Sequence, residues 1–233
     1  MSASAYPATL HPSRQRRTAG PGAPLGVALL CALGLALVWV LAALVPATHL
    51  RDAVLLHDVA KLHGPGVDPV ARFVVHLLEP LLFVLWAVAL AAIALAQQRP
   101  RVALALVGVM GLAPLSAEVL KPLAAHAHAR AGSSLVSAAS WPSGHAAAAL
   151  ALVLSAVLVA RPPWRALVAC VGALYTLAVA VSLLILSMHM PSDVLGGLLV
   201  ATLWMALAVA ALRAAERRWP SPSAQRRDHA EDL

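Results

Sequence analysis

Residues 141–160 read WPSGHAAAALALVLSAVLVA. A short polar opening that contains a proline leads into an apolar run without a single charged residue. Proline fits the first turn of a helix, and serine is favoured at the position that caps one. An uncharged apolar run of this length indicates a helix that is buried in protein or lipid. We therefore predict a helix over Pro142–Ala160.

The rest of the chain has the same apolar character. Of its 233 residues, 61% are hydrophobic and 12% are charged, whereas soluble domains have about 45–50% apolar and about 25% charged residues. This composition argues against an ordinary soluble domain. The net charge is +7, but the basic residues lie in the tails and at the ends of apolar runs, a distribution typical of membrane topology rather than of a nucleic-acid groove. Cys31 and Cys170 both lie inside apolar runs and predict no disulfide framework.

The apolar runs predict an all-α bundle of six transmembrane helices. The first run is about 23 residues long, enough for a hydrocarbon core of about 30 Å and too long for the apolar region of a signal peptide. Short polar turns join helix two to three and helix four to five, so these neighbours should be antiparallel. The predicted helices one to six cover Pro24–Pro46, Ala71–Gln97, Val102–Leu120, Pro142–Ala160, Trp164–Ser187 and Pro191–Ala215.

Residues 47–69, between helices one and two, are more polar than the spans. Leu50, Val54, Leu55 and Leu62 are spaced to form one apolar face, which predicts a short interfacial helix. We divide the chain into a disordered basic tail at 1–20, a membrane domain at 21–215 and a disordered charged tail at 216–233.

The lysines and arginines predict the orientation. Most of the 17 lie in the two tails and in the loops after helices two and four, and basic residues are enriched in cytoplasmic loops. Both termini should therefore be cytoplasmic, and the loops after helices one, three and five should face the extracytoplasmic side of the cell membrane.

Asp193 is the only charged residue between Arg165 and Arg213. A carboxylate near a bilayer is costly without a partner, and His189 precedes it by four residues, with Pro191 placed to start helix six. Asp193 is thus able to orient the His189 imidazole and leave its second nitrogen free as a nucleophile. The alternative is a structural role without catalysis, in which Asp193 caps the helix and His189 lies at the membrane interface.

Ser143, Gly144 and His145 open helix four. Unpaired backbone N–H groups at a helix start bind phosphate, and glycine lets an anion approach closely. His145 then follows as a possible proton donor. An ordinary serine cap is the structural alternative.

Lys121 ends helix three and is one of only two lysines in the chain. Its ammonium suits a phosphate oxygen, and Glu118 lies one turn earlier as a partner; a lysine extending to the interface is the alternative.

His126 and His128 form a weak metal motif, because neither a carboxylate nor a cysteine accompanies them. His49, His57, His63 and His76 are interpreted as interfacial or packing residues.

These motifs together resemble the type 2 phosphatidic acid phosphatase (PAP2) superfamily, in its membrane branch. The family motifs are Lys-x6-Arg-Pro, Pro-Ser-Gly-His and Ser-Arg-x5-His-x3-Asp. The second is intact at residues 142–145, and the third is present as Ser182, Leu183, His189 and Asp193. The first retains Lys121, but His128 and Ala129 stand at its Arg-Pro positions.

The resemblance implies hydrolysis of a lipid phosphate or lipid pyrophosphate without a metal or other cofactor. It assigns His189 as nucleophile, Asp193 as its orienting group and His145 as the acid that protonates the leaving oxygen. Lys121, Ser143 and the Gly144 amide would bind the phosphate, assisted by Arg130 and His128. The implied partners are the lipid substrate and the bilayer, and polyprenyl diphosphate, phosphatidic acid and phosphatidylglycerol phosphate are candidate substrates.

Two departures from the motifs leave other functions open. Neither Leu183 nor a neutral His128 binds phosphate through two parallel hydrogen bonds, as arginine does. A weakened member that binds or moves a phospholipid without turnover is therefore the alternative. A small ion-coupled transporter is less favoured, because the polar residues cluster at helix ends, whereas transporter sites lie near the bilayer midplane.

Overall fold

The computed structural model describes residues 20–125 and 136–219, and within these ranges every regular element is helical. The predicted all-α class is confirmed. A 3-10 turn covers Pro162–Trp164. The helices are α1 Gly22–Leu44, α2 Pro46–Ala60, α3 Asp68–His76, α4 Pro80–Ala96, α5 Pro100–Leu123, α6 Gly144–Val159, α7 Arg165–Ile185 and α8 Pro191–Arg218.

Four helices of the described chain are long and apolar enough to cross a membrane, namely α1, α5, α7 with its 3-10 turn, and α8. The bent pair α3–α4 makes a fifth candidate. The remaining predicted span, helix four, corresponds to α6, which is apolar but has only 16 residues. At about 1.5 Å per residue it is shorter than a hydrocarbon core of about 30 Å. The count of six spans stays a prediction.

The prediction of one continuous helix over Ala71–Gln97 is wrong. α3 ends at His76, α4 begins at Pro80, and the two axes are bent by 51°. Proline lacks the N–H that a continuing helix needs, and it disfavours helical geometry in the residue before it. Glu79 accordingly has φ −58° and ψ 149°, outside the helical region.

A helix, α2, forms in the segment predicted to be interfacial. The residues predicted to form its apolar face are exposed: Leu50 is 58% and Leu55 is 55% exposed. Ala53 and Leu56 are buried instead, and α2 packs on α1, α7 and α8. Its position at a membrane interface stays a prediction.

α6 lies at the centre of the bundle, in contact with α4, α5, α7 and α8. Its inner surface is made of small side chains, with Ala147, Ala149 and Ala151 fully buried. Small residues let helix backbones approach closely, as is typical of helix packing in membranes.

Two adjacent glycines bring α8 against the residues that lead into α6. A Cβ on Gly197 would overlap the carbonyl oxygen of Ser143, and a Cβ on Gly196 would lie 2.8 Å from Nε1 of Trp141. Any larger side chain would push the two helices apart. The absence of side chains here therefore determines how closely the starts of α6 and α8 approach.

The outer surface is apolar. On α1, for example, Leu29, Leu30, Leu33 and Leu37 are each more than half exposed. Water does not favour contiguous apolar surface of this extent, so it faces lipid, and the protein is a multi-pass membrane protein. α8 continues to Arg218, three residues past the predicted end of the membrane domain. Most of both predicted tails lies outside the described residues.

Candidate active site

The site lies where the end of α5 and the starts of α6 and α8 meet. His145 is the second residue of α6, and His189 lies two residues before α8. Their imidazole ring centroids are 6.4 Å apart, and the ring planes are inclined by 62°. Two residues 44 positions apart in the chain therefore face each other across one small gap.

Asp193 holds the backbone and the imidazole that precede α8. Its Oδ2 accepts a hydrogen bond of 2.9 Å from the Met190 N–H and lies 3.4 Å from Nδ1 of His189. Asp193 is fully buried and His189 is 6% exposed. The predicted pairing of Asp193 with His189 is thus present, with the ring's second nitrogen, Nε2, outside this contact.

Ser143 caps α6. Its Oγ accepts a hydrogen bond of 3.2 Å from the Ala146 N–H, and its own N–H donates to the carbonyl oxygen of Asp193 at 2.9 Å. The second bond ties the start of α6 to the first turn of α8. Within the described chain, the N–H groups of Gly144 and His145 have no hydrogen-bond partner, as expected for the first turn of a helix.

Lys121 extends from the last turn of α5, and its Nζ lies 2.6 Å from Oε1 of Glu118. This confirms the predicted pair. The same Glu118 oxygen would lie 2.5 Å from a Cβ on Gly144, so the carboxylate rests against the start of α6. Sequence reasoning gave no sign of this contact, because α5 and α6 are joined by a long connection.

The remaining predicted phosphate ligands, Arg130 and His128, lie outside the described residues, as does the His126–His128 metal motif. Leu183, which stands at a motif arginine position, is fully buried in an apolar cluster with Val75, Val179 and Val194. In residues 20–125 and 136–219, no group of three or more His, Cys, Asp or Glu side chains is arranged to hold a metal ion.

His145 lines two cavities of different character. One, of about 870 Å³, runs between α4 and α5 and is mostly apolar, with Glu118 and Gly144 at its polar end. The other, of about 630 Å³, has a mixed lining in which His63, Arg72 and His76 stand beside apolar residues. The site therefore lies between an apolar groove and a cavity with a larger share of polar lining.

Sequence reasoning missed Asp52. This α2 residue accepts hydrogen bonds from both the N–H and the Oγ of Ser192, the residue next to Asp193. In the sequence, Asp52 stands among other charged residues of the segment 47–69, and no motif distinguishes it from Arg51 or Asp58.

The sequence model of the PAP2 superfamily matches residues 73–217. No curated protein sequence matches the chain. Among solved structures, the crystal structure of a transmembrane PAP2 type phosphatidylglycerolphosphate phosphatase from Bacillus subtilis is similar, with a TM-score of 0.65 and 20% identity over 83% of this chain and 98% of that one. Such a likeness extends to the fold alone. The sequence model covers more than half of the chain and includes Lys121, Ser143, His145, His189 and Asp193. The chain therefore belongs to the PAP2 superfamily.

Proposed function

We propose that this protein hydrolyses a lipid phosphate or lipid pyrophosphate at the extracytoplasmic face of the membrane, through a phosphohistidine intermediate and without a metal. Its membership of the PAP2 superfamily supports a phosphatase-type activity. The observation that carries the proposal is the pair of imidazoles 6.4 Å apart, one of them backed by a buried carboxylate. A phosphoryl group between the two rings would place phosphorus about 3 Å from Nε2 of His189 and the leaving oxygen within hydrogen-bond reach of His145.

In the first step, Nε2 of His189 attacks phosphorus and a nitrogen–phosphorus bond forms. The bond to the lipid oxygen breaks, and the protonated His145 gives its proton to that oxygen. Asp193 holds the His189 Nδ1 proton in place and balances the positive charge that the ring acquires. In the second step, water attacks phosphorus, the nitrogen–phosphorus bond breaks, and His145 takes the proton from the water.

Phosphate binding is supported by the groups around Gly144. The unpaired N–H groups lie at the start of α6, where the helix dipole gives a partial positive charge. Lys121 lies near them, because its partner Glu118 contacts Gly144. Ser143 Oγ accepts from a backbone N–H and keeps its own proton to donate. Donors of this kind typically contribute about 10²–10³-fold each to the rate.

The apolar groove between α4 and α5 supports a lipid substrate. It is lined by Val84, Ala91, Val107 and Gly111, and it ends at His145. An acyl or prenyl chain in this groove would place an attached phosphate beside the two histidines while its tail remains in apolar surroundings.

The direct test is phosphate release by the purified protein from a panel of phosphatidic acid, polyprenyl diphosphate and phosphatidylglycerol phosphate, with excess EDTA. We expect release from at least one lipid, at the same rate with and without chelator. Loss of activity in EDTA that Mg²⁺ restores would contradict the metal-independent mechanism. Absence of release from every lipid would contradict the hydrolytic function.

The burial of Leu183 favours one alternative, a protein that binds a phospholipid without turnover. The position lies in an apolar cluster, so no arginine from α7 contributes to the phosphate site there. Saturable binding of vanadate, a phosphate analogue, with no release from any lipid in the panel would support this alternative.

Gly111→Leu should reduce activity on long-chain lipids selectively. A leucine here enters open space in the groove and displaces about two methylenes of the tail, which at roughly 0.8 kcal/mol each corresponds to about a tenfold lower kcat/KM. A water-soluble short-chain phosphate should be hydrolysed at the normal rate. Both values are measured by steady-state phosphate release.

Gly108→Leu is the matched control for this substitution. It lies one turn earlier on α5, also meets open space and does not line the groove. Because both variants gain the same helix propensity, equal losses in the two variants, or equal losses on short and long substrates, would contradict tail binding in the groove.

A further inference from the structure

The start of α8 is held from outside by a residue of α2. α2 packs against α7 and α8, and its residues Ala53 and Leu56 are buried, at 2% and 1% exposed. The neighbouring Asp52 is thereby directed at the first turn of α8. This contact joins residues 140 positions apart in the chain.

Both oxygens of the Asp52 carboxylate bind the same residue. The Ser192 N–H donates to Oδ1 at 3.0 Å, and the Ser192 Oγ donates to Oδ2. The first N–H groups of a helix have no partner within the helix, and a negative charge is favourable at that end. Met190, at the cap position of α8, provides no side-chain hydroxyl or carboxylate for this purpose. Asp52 therefore acts as a cap that is supplied by a different helix.

The capped turn is the one that carries the catalytic pair. Ser192 immediately precedes Asp193, whose carboxylate binds the Met190 N–H and contacts His189 within the same turn. The distance from Asp193 Oδ2 to His189 Nδ1 is 3.4 Å, at the long end of the range for a hydrogen bond. A small rotation of this turn is enough to break that contact.

We propose that Asp52 is a positioning residue for catalysis: by binding Ser192 it fixes the first turn of α8 and keeps Asp193 within reach of His189. This role rests on the proposed function. It assigns a purpose to α2 that goes beyond packing, since this helix lies outside the segment matched by the family model.

The variants that test this role are Asp52→Ala, Asp52→Asn and Ser192→Ala. Asparagine retains an oxygen that accepts from the Ser192 N–H and an amide that donates to its Oγ, so it should largely restore the contact. Asp58→Ala is the control. Asp58 lies on the same helix, its side chain is 56% exposed, and its partner is Lys61 at 2.6 Å; a hydrogen bond and the charge of Lys61 lower the pKa of Asp58.

The first measurement is steady-state phosphate release with the best lipid of the panel. Displacement of a catalytic group by a fraction of an ångström to one ångström lowers turnover by about tenfold to a hundredfold. We expect a kcat loss in this range for Asp52→Ala. KM should stay within about twofold, because the proposed phosphate-binding groups around Gly144 are not substituted. Ser192→Ala removes the hydroxyl bond but keeps the N–H bond to Oδ1, so it should lose less kcat than Asp52→Ala. Asp52→Asn should recover most of kcat, and Asp58→Ala should match the wild type.

The second measurement is amide hydrogen exchange, which needs no activity. In Asp52→Ala, residues 189–194 should exchange faster than in the wild type, while the rest of α8 is unchanged. Unchanged exchange in this turn would overturn the contact itself. Faster exchange with normal kcat, or equal losses in kcat for Asp52→Ala and Asp52→Asn, would overturn the positioning role.

The two measurements separate failure of this inference from failure of the proposed function. If the wild-type protein releases no phosphate from any lipid, the hydrolytic function is wrong, and a role for Asp52 in turnover is wrong with it. Exchange in residues 189–194 then still reports whether Asp52 caps α8.

Discussion

His189→Ala is expected to lower phosphate release by roughly 10⁴-fold or more, because it removes the atom that forms the covalent bond to phosphorus. Positioned donors and the second histidine remain, so a small residual rate above that of water is also expected. The measurement is the initial rate with a saturating lipid substrate. In addition, the protein can be mixed with a lipid whose phosphoryl group is radiolabelled and the reaction stopped rapidly without acid. The wild-type protein should then carry label, and the variant should carry none.

His57→Ala is the control for this experiment, since His57 is an exposed histidine of α2. It should retain wild-type activity. If His189→Ala retained more than about one tenth of the wild-type rate, the assignment of His189 as nucleophile would be wrong, whatever substrate is used.

Asp193→Asn is expected to lower kcat by about 10³-fold with little change in KM. Asparagine has the shape of aspartate and retains an oxygen for the Met190 N–H, so the turn should stay folded. What is lost is the negative charge beside His189, which favours the positively charged ring that forms during attack. Circular dichroism and thermal unfolding should show a folded protein, so that the loss of rate reports chemistry.

A second His–Asp pair offers a matched control for that substitution. His63 Nδ1 lies 3.0 Å from Oδ2 of Asp68, the first residue of α3. His63 lines the second cavity, whereas Asp68 does not line it and contacts neither His145 nor His189. Asp68→Asn should change kcat by about twofold at most. Similar losses in Asp193→Asn and Asp68→Asn would indicate a general effect on folding and would contradict a specific role for Asp193.

The parts of the site that the sequence predicts correctly depend on contacts within one helical turn. Proline and serine before a run of alanine mark the start of α6, and the spacing of four residues brings Asp193 to His189. The Glu118–Lys121 pair follows from the same rule. Each of these contacts joins residues three or four positions apart, so the spacing in the sequence is enough to indicate it.

The parts that the sequence does not predict depend on packing between distant segments. Asp52 and Ser192 meet only because α2 folds back on α8, and the contact of Glu118 with Gly144 requires α5 and α6 to be neighbours. The break before Pro80 is different, since the proline is visible in the sequence. Apolar residues lie on both sides of this proline and make residues 71–97 resemble one span, and proline alone does not distinguish a kink from the start of a new helix.

The close approach of Gly197 to Ser143 has a consequence for how the surrounding bilayer influences this protein. The hydrogen bond from the Ser143 N–H to the Asp193 carbonyl oxygen is a main-chain bond, so the gap between the imidazoles is maintained by the interior of the bundle. Lipid thickness and fluidity act first on the outermost helices. They should therefore alter how fast a lipid enters between α4 and α5, while the geometry of phosphoryl transfer stays constant from one membrane to another.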